Sequence, residues 1–188
     1  MKGDTARRVP FSILGEPIEM SYRNKTYVIF DGDQDMWAYA YMKGWKEKDH
    51  IDFNFYDAHD LRPLRNWASD QTIFSRLRER MCNAKQAIVL IGPYTRTLRK
   101  FVPWEIELAK AKHLPIVAVN LNGNRGTDPD LCPASLRDYP AVHVCFKMKI
   151  IKHALDRFPD EFAANFRSWS SSWRIYNQQI YTQLGIYS

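Results

Sequence analysis

Two uninterrupted apolar runs, "QAIVLIG" (residues 86–92) and "PIVAVNL" (residues 115–121), constrain this chain more than any other feature. Each is about one strand long and rich in β-branched residues, and neither alternates with polar positions, which marks strands covered on both faces. Such strands belong to parallel sheets, and parallel neighbours need a crossover that a helix supplies. The segment between them, "KFVPWEIELAKAKH", reads as that helix, with Pro103 preorganising its first turn and Glu105 close behind.

The rest of the chain repeats the pattern. "TYVIFDG" (26–32) and "IDFNFYD" (51–57) read as strands, and residues 35–48 between them carry apolar and aromatic residues at helical spacing. "SDQTIFSRLRERMCNAK" (69–85) reads as a helix with Ser69 as N-cap and Ile73, Leu77, Met81 and Ala84 on one stripe. "AVHVCF" (141–146) supplies a fifth strand. Five strands alternating with helices predict an α/β fold with a doubly wound parallel sheet. Beyond Pro159, Phe162, Phe166, Trp169, Trp173, Tyr176, Ile180 and Leu184 recur at steps of three and four, which predicts one aromatic helix of about six turns packed on that sheet. The expected division is an irregular N-terminal arm (1–25), an α/β domain (26–158) and a C-terminal helical extension (159–188).

Composition narrows the setting. The net charge is +6, but the basic residues are interspersed with acids, as in "RLRER" and "KGWKEKDH", so they predict a solvated surface and not a nucleic-acid footprint. Nothing approaches the roughly 18 consecutive apolar residues a membrane span needs, and "MKGDTARRVPFSILGEP" lacks a signal-peptide core, so a cytoplasmic protein without membrane contact is expected. Cys82, Cys132 and Cys145 are odd in number and far apart, which predicts buried free thiols.

Ligands of open α/β sheets gather at the carboxyl ends of the strands. That rim would carry Asp31, Asp33 and Asp35, then Asp57, His59 and Asp60, then Gly92 to Tyr94, and finally Trp104 and Glu105. A phosphoacceptor receiver would need an aspartate after the third strand, where Gly92 and Pro93 stand. A haloacid-dehalogenase-type phosphatase would need a later acidic pair, which "VNLNGN" lacks. An EF-hand loop fails because Met36 and Met42 occupy the glycine and closing-glutamate positions. No resident metal is expected. Glu105 has two readings: a carboxylate favoured by the helix N-terminus, or a charge held at neutral pH to stabilise an oxocarbenium ion, as glycosidase carboxylates do.

The order "YVIFDGDQD", "FNFYDAHDL", "AIVLIGPYT" and "KFVPWEIELAKAKHLPIVAV" resembles a TIR domain, and most closely the TIR-like family of bacterial Thoeris anti-phage systems, over about residues 26–146. The resemblance implies a flavodoxin-like five-stranded sheet of order 2-1-3-4-5. It also implies cleavage of the nicotinamide glycosidic bond of NAD⁺, with cyclisation of ADP-ribose into a messenger for a downstream effector protein. Enzymatic TIR domains place an aromatic residue four positions before the catalytic glutamate and an aliphatic residue after it, as Phe101, Glu105 and Ile106 stand here. Substrate contacts would fall on Phe30, Asp31, Asp33, Asp57, His59 and Trp104, with a flexible loop at about residues 57–69; many relatives have Ser where His59 stands. Arg96, Arg99 and Lys100 are candidates for the pyrophosphate. NAD⁺ is then a substrate, no tightly bound cofactor is expected, and self-association into a homo-oligomer is. The alternative is a non-catalytic TIR-like interaction module that signals by assembly.

Overall fold

The computed structural model describes residues 25–48, 56–57, 69–169 and 173–187. β1 (Lys25–Ile29) leads to α1 (Met36–Lys46), β2 (Tyr56–Asp57), α2 (Asp70–Arg80) and β3 (Gln86–Ile91). A single 3-10 turn (Thr95–Thr97) then precedes α3 (Phe101–Ala111), β4 (Ile116–Asn120), α4 (Ala134–Arg137), β5 (Ala141–Cys145) and α5 (Met148–Asn165). The chain closes with β6 (Trp173–Ile175) and α6 (Gln178–Gln183). The strands are all parallel and lie in the order β2-β1-β3-β4-β5-β6.

The flavodoxin-like doubly wound order 2-1-3-4-5 expected from the sequence is therefore present. Every residue of β3, β4 and β5 is buried, as apolar runs without alternation require. β1 shows how the faces are assigned. Phe30, at its end, stacks on Tyr39 of α1 with ring centroids 4.9 Å apart, whereas the Tyr27 hydroxyl reaches Glu105 of α3. Side chains alternate along a strand, so an odd separation puts these two residues, and the helices they touch, on opposite faces. The two-faced cover follows directly.

Ser69 caps α2 by accepting from the Thr72 N–H, as its position before the apolar stripe predicted. The C-terminal segment departs from expectation. α5 runs through Pro159 and stops at Asn165, so the expected boundary between 158 and 159 falls inside a helix. The aromatic stripe is not one continuous helix. Its first part, Phe162, Phe166 and Trp169, forms a ring cluster with Phe158 and Tyr139, in which the Phe162 and Phe166 centroids lie 4.6 Å apart. Residues 173–175 instead form a sixth strand, with Ala141 to His143 of β5 opposite them. Two physical terms oppose helix continuation: three consecutive serines at 170–172 have poor helix propensity, and an open β5 edge offers backbone partners to the β-favouring sequence "WRI". The last piece is fixed by Arg125, which lies 4.4 Å over the buried Tyr181 ring and donates to Gln178 Oε1 at 2.6 Å.

The thiols are free; Cys132 and Cys145 are buried as expected, while Cys82 is exposed at the end of α2. Among the described residues no helix is long and apolar enough to cross a membrane.

His143, in the middle of β5, is fully buried and neither ring nitrogen has a hydrogen-bond partner among the described residues. Burial pushes its pKa down to about 4. The unfolded chain takes up a proton near the ordinary histidine pKa while the folded chain resists it, so stability falls as pH drops from about 6.5 to about 4. The loss over that window should approach about 3 kcal/mol. In urea denaturation, the stability difference between His143→Leu and the native chain should widen by that amount as pH falls through this range, and stay flat above it.

Candidate active site

Glu105 sits in the second turn of α3, not the first. The helix begins at Phe101, Lys100 provides no side-chain cap, and the first turn holds no acid. Pro103 occupies the third helical position, where its missing N–H would have had no helical partner in any case. The side chain of Glu105 is turned beneath the helix, only 5 % exposed, and its Oε1 accepts a 2.7 Å hydrogen bond from the Tyr27 hydroxyl of β1. Arg80, at the end of α2, contributes a favourable charge at longer range.

Burial decides the protonation. It raises the Glu105 pKa to about 7, against the lowering exerted by Tyr27 and Arg80. The sequence suggested the opposite, a carboxylate kept charged by the helix N-terminus. That effect amounts to about 0.3–1 kcal/mol and fades beyond the first turn, whereas desolvating a carboxylate costs several kcal/mol. The carboxyl is therefore poised to gain or lose its proton near neutrality.

The family model of the Thoeris protein ThsB, TIR-like domain, matches residues 27–126. The chain belongs to this family. The match begins at Tyr27 and includes Arg80 and Glu105, so it holds both partners of the buried hydrogen bond. No individually curated protein matches the chain.

Within this TIR-like domain the other candidate residues divide. Phe30 is 6 % exposed and engaged with Tyr39, so its ring is core packing and not a free stacking surface. Asp31 is buried, and its Oδ1 accepts from the Asp33 N–H in a turn of the β1–α1 loop, while Asp33 is exposed. Trp104 is half-buried on the α2 side, edge-on to Phe74 and Phe101, three residues along from that aromatic residue and one before Glu105. Asp57 lies on β2, its backbone opposite Thr26; its side chain, His59 and most of the loop at 57–69 lie outside the described residues. The basic residues ahead of α3 are partly engaged elsewhere. Arg96 contacts Asp130 at 3.7 Å and Lys100 contacts Asp70 at 3.2 Å, while Arg99 is exposed. Among the described residues no three His, Cys, Asp or Glu side chains gather as metal ligands.

Sequence reasoning missed Tyr27 and Arg80. A tyrosine inside a strand reads as core, and only the crossing of α3 over β1 gives its hydroxyl a partner 78 residues away. The site also has a thermodynamic signature. A buried acid with a raised pKa is harmless when protonated and costs stability as pH rises through its folded pKa. Glu105→Gln should therefore match the native chain below about pH 4.5 and exceed it in stability by up to about 3 kcal/mol above pH 7, read by chemical denaturation across that range.

Proposed function

We propose that this protein cleaves the nicotinamide glycosidic bond of NAD⁺, with Glu105 as the catalytic carboxylate. The observation that carries the reading is the buried 2.7 Å pair of Glu105 and Tyr27, on the helix whose Phe101, Glu105 and Ile106 follow the pattern of enzymatic TIR domains. Membership of a Thoeris signalling family supports the anti-phage setting.

The chemistry follows from charge. As the bond between the ribose anomeric carbon and the pyridinium nitrogen breaks, its electron pair neutralises the departing ring and leaves an oxocarbenium ion on the sugar. An ionised carboxylate in a low-dielectric site stabilises that cation strongly. A carboxyl with a pKa about 7 is half-charged at neutrality, and the positive pyridinium beside it favours ionisation further. Tyr27 engages Oε1 alone, which holds the carboxylate in one orientation with Oε2 outside that bond. Water then adds to the anomeric carbon and releases one proton, giving ADP-ribose; attack by a nucleophile within the same ADP-ribose gives a cyclic product instead. Because Glu105 is nearly covered, the ribose reaches it only after neighbouring side chains yield, which couples turnover to a rearrangement.

Nicotinamide release from NAD⁺, followed by mass spectrometry, tests this. Glu105→Gln should lower kcat/KM by about 100-fold or more. Tyr27→Phe should lower it by about tenfold and move the acid limb of the pH profile, expected near 7, to higher pH, because the hydroxyl favours the ionised form. Turnover unchanged by Glu105→Gln would remove this residue from the mechanism.

A second reading, a non-catalytic module acting by self-association, draws on the outward face of α1, where Met36, Trp37 and Tyr41 are 40 %, 47 % and 60 % exposed. Under that reading Tyr41→Glu should abolish concentration-dependent association in sedimentation velocity, and NAD⁺ should persist under every condition of assembly.

A further inference from the structure

The chain leaves β1 toward β2 on one side and returns to β3 on the other, so the winding reverses between β1 and β3. Crevices at such a reversal are where open α/β sheets hold ligands. A cavity of about 230 Å³ lies there, over the ends of β1, β3 and β4, and its walls include Gln34, Asp35, Trp37, Tyr94, Leu121 and Leu131.

Asp35 is the unusual wall. It is 1 % exposed, Thr95 stands beside its carboxyl, and Oδ2 has no partner among the described residues. Thr95 is itself anchored by accepting from the Gly92 N–H at 2.8 Å. A Cβ at Gly92 would overlap both carboxyl oxygens, so β3 is followed by the one residue type that leaves room for this group. A buried carboxylate with an unmatched oxygen carries a large desolvation cost, which a donor from a ligand would relieve. The remaining walls suit a flat ring: Trp37 and Tyr94 are 47 % and 55 % exposed, Leu121 and Leu131 are apolar, and the exposed Gln34 adds an amide. The volume is below the roughly 300–1,000 Å³ of sites that enclose a drug-sized ligand, which restricts the occupant to one ring system.

We propose that this cavity is a second ligand site, taking one flat nitrogen heterocycle whose N–H donates to the Asp35 carboxyl while its face rests on Trp37 and Tyr94. It is separate from the Glu105 site, because Asp35 stands at the start of α1, on the opposite face of the sheet from α3. It does not rest on glycosidic cleavage. Adenine and the nicotinamide carboxamide share the required chemistry.

Nicotinamide and adenosine are titrated separately into the full chain, with nicotinic acid and purine riboside as counterparts lacking the exocyclic N–H donor, and binding is followed by NMR on the Trp37 indole signal. At least one of the two donors should bind at millimolar concentration, about tenfold tighter than its counterpart. A response to nicotinamide alone assigns the site to the pyridine amide, and a response to adenosine alone assigns it to the purine. Asp35→Asn, which sets an N–H where the acceptor stood, and Trp37→Ala should each weaken binding about tenfold, while Glu105→Gln leaves it unchanged. The proposal is overturned if neither donor binds, if binding survives Asp35→Asn intact, or if Glu105→Gln abolishes it. That last result would place the ligand at Glu105 and leave the glycosidic reading standing, so the two ideas fail separately.

Discussion

The register of β1 against β3 governs both sites. Thr26 lies opposite Gln86, and the fully buried Gln86 side chain donates to the Thr26 hydroxyl at 3.0 Å. Because successive side chains point to opposite faces, a slip of one residue would turn Tyr27 away from α3 and send Phe30 to the wrong side. A polar contact between two fully buried residues resists that slip better than apolar packing does, since a mismatched partner leaves a donor without an acceptor in the core. The hydrogen bond that holds Glu105 thus depends on another hydrogen bond one residue earlier in the strand.

The same two-sided burial creates the electrostatic conflict. Central strands of a parallel sheet must be covered on both faces, and α3 supplies part of that cover with Val102, Glu105, Ile106, Leu108 and Ala109 turned inward. Four of these are apolar and cost nothing to bury. Glu105 is the exception, and its single strong hydrogen bond from Tyr27 does not offset the loss of water. Asp35 repeats the pattern on the other face, where burial and the neighbouring Asp31 charge raise its pKa to about 6. A glutamine at position 105 would make a more stable protein. Two carboxyls thus sit where stability alone argues against them, one on each face of the sheet.

Legibility in the sequence followed the range of the interaction. Local signals were readable: Ser69 before its stripe, the apolar runs of β3 and β4, and the strand and helix alternation of a doubly wound parallel sheet, whose strand order the family resemblance implied. Glu105 stood out because its neighbours form a local pattern. Tyr27 did not, since its role exists only once α3 crosses β1, and Asp35 looked like one more acid in an exposed loop until Gly92 and Thr95 closed around it. The C-terminus misled for a related reason. Its spacing of three and four fits a helix over residues 162–184, but periodicity cannot register that β5 has an open edge able to recruit residues 173–175.

β6 also changes what the C-terminal segment is for. An exposed parallel edge at β5 would offer unpaired N–H and C=O groups to other chains. Three residues of β6 cover most of it, and the segment beyond is clamped by Arg125 from the loop after β4, through the Tyr181 face and Gln178. The piece that reads as an appendage is therefore part of the sheet's own closure. Four of its aromatic residues are taken up in that closure: Phe162 and Tyr181 are buried, and Phe166 and Trp169 pack in the ring cluster beside Tyr139. Apolar surface for contact with other molecules is found on α1 and at Tyr94, next to the cavity at the switch point, and on the C-terminal segment at Ile175 and Tyr187.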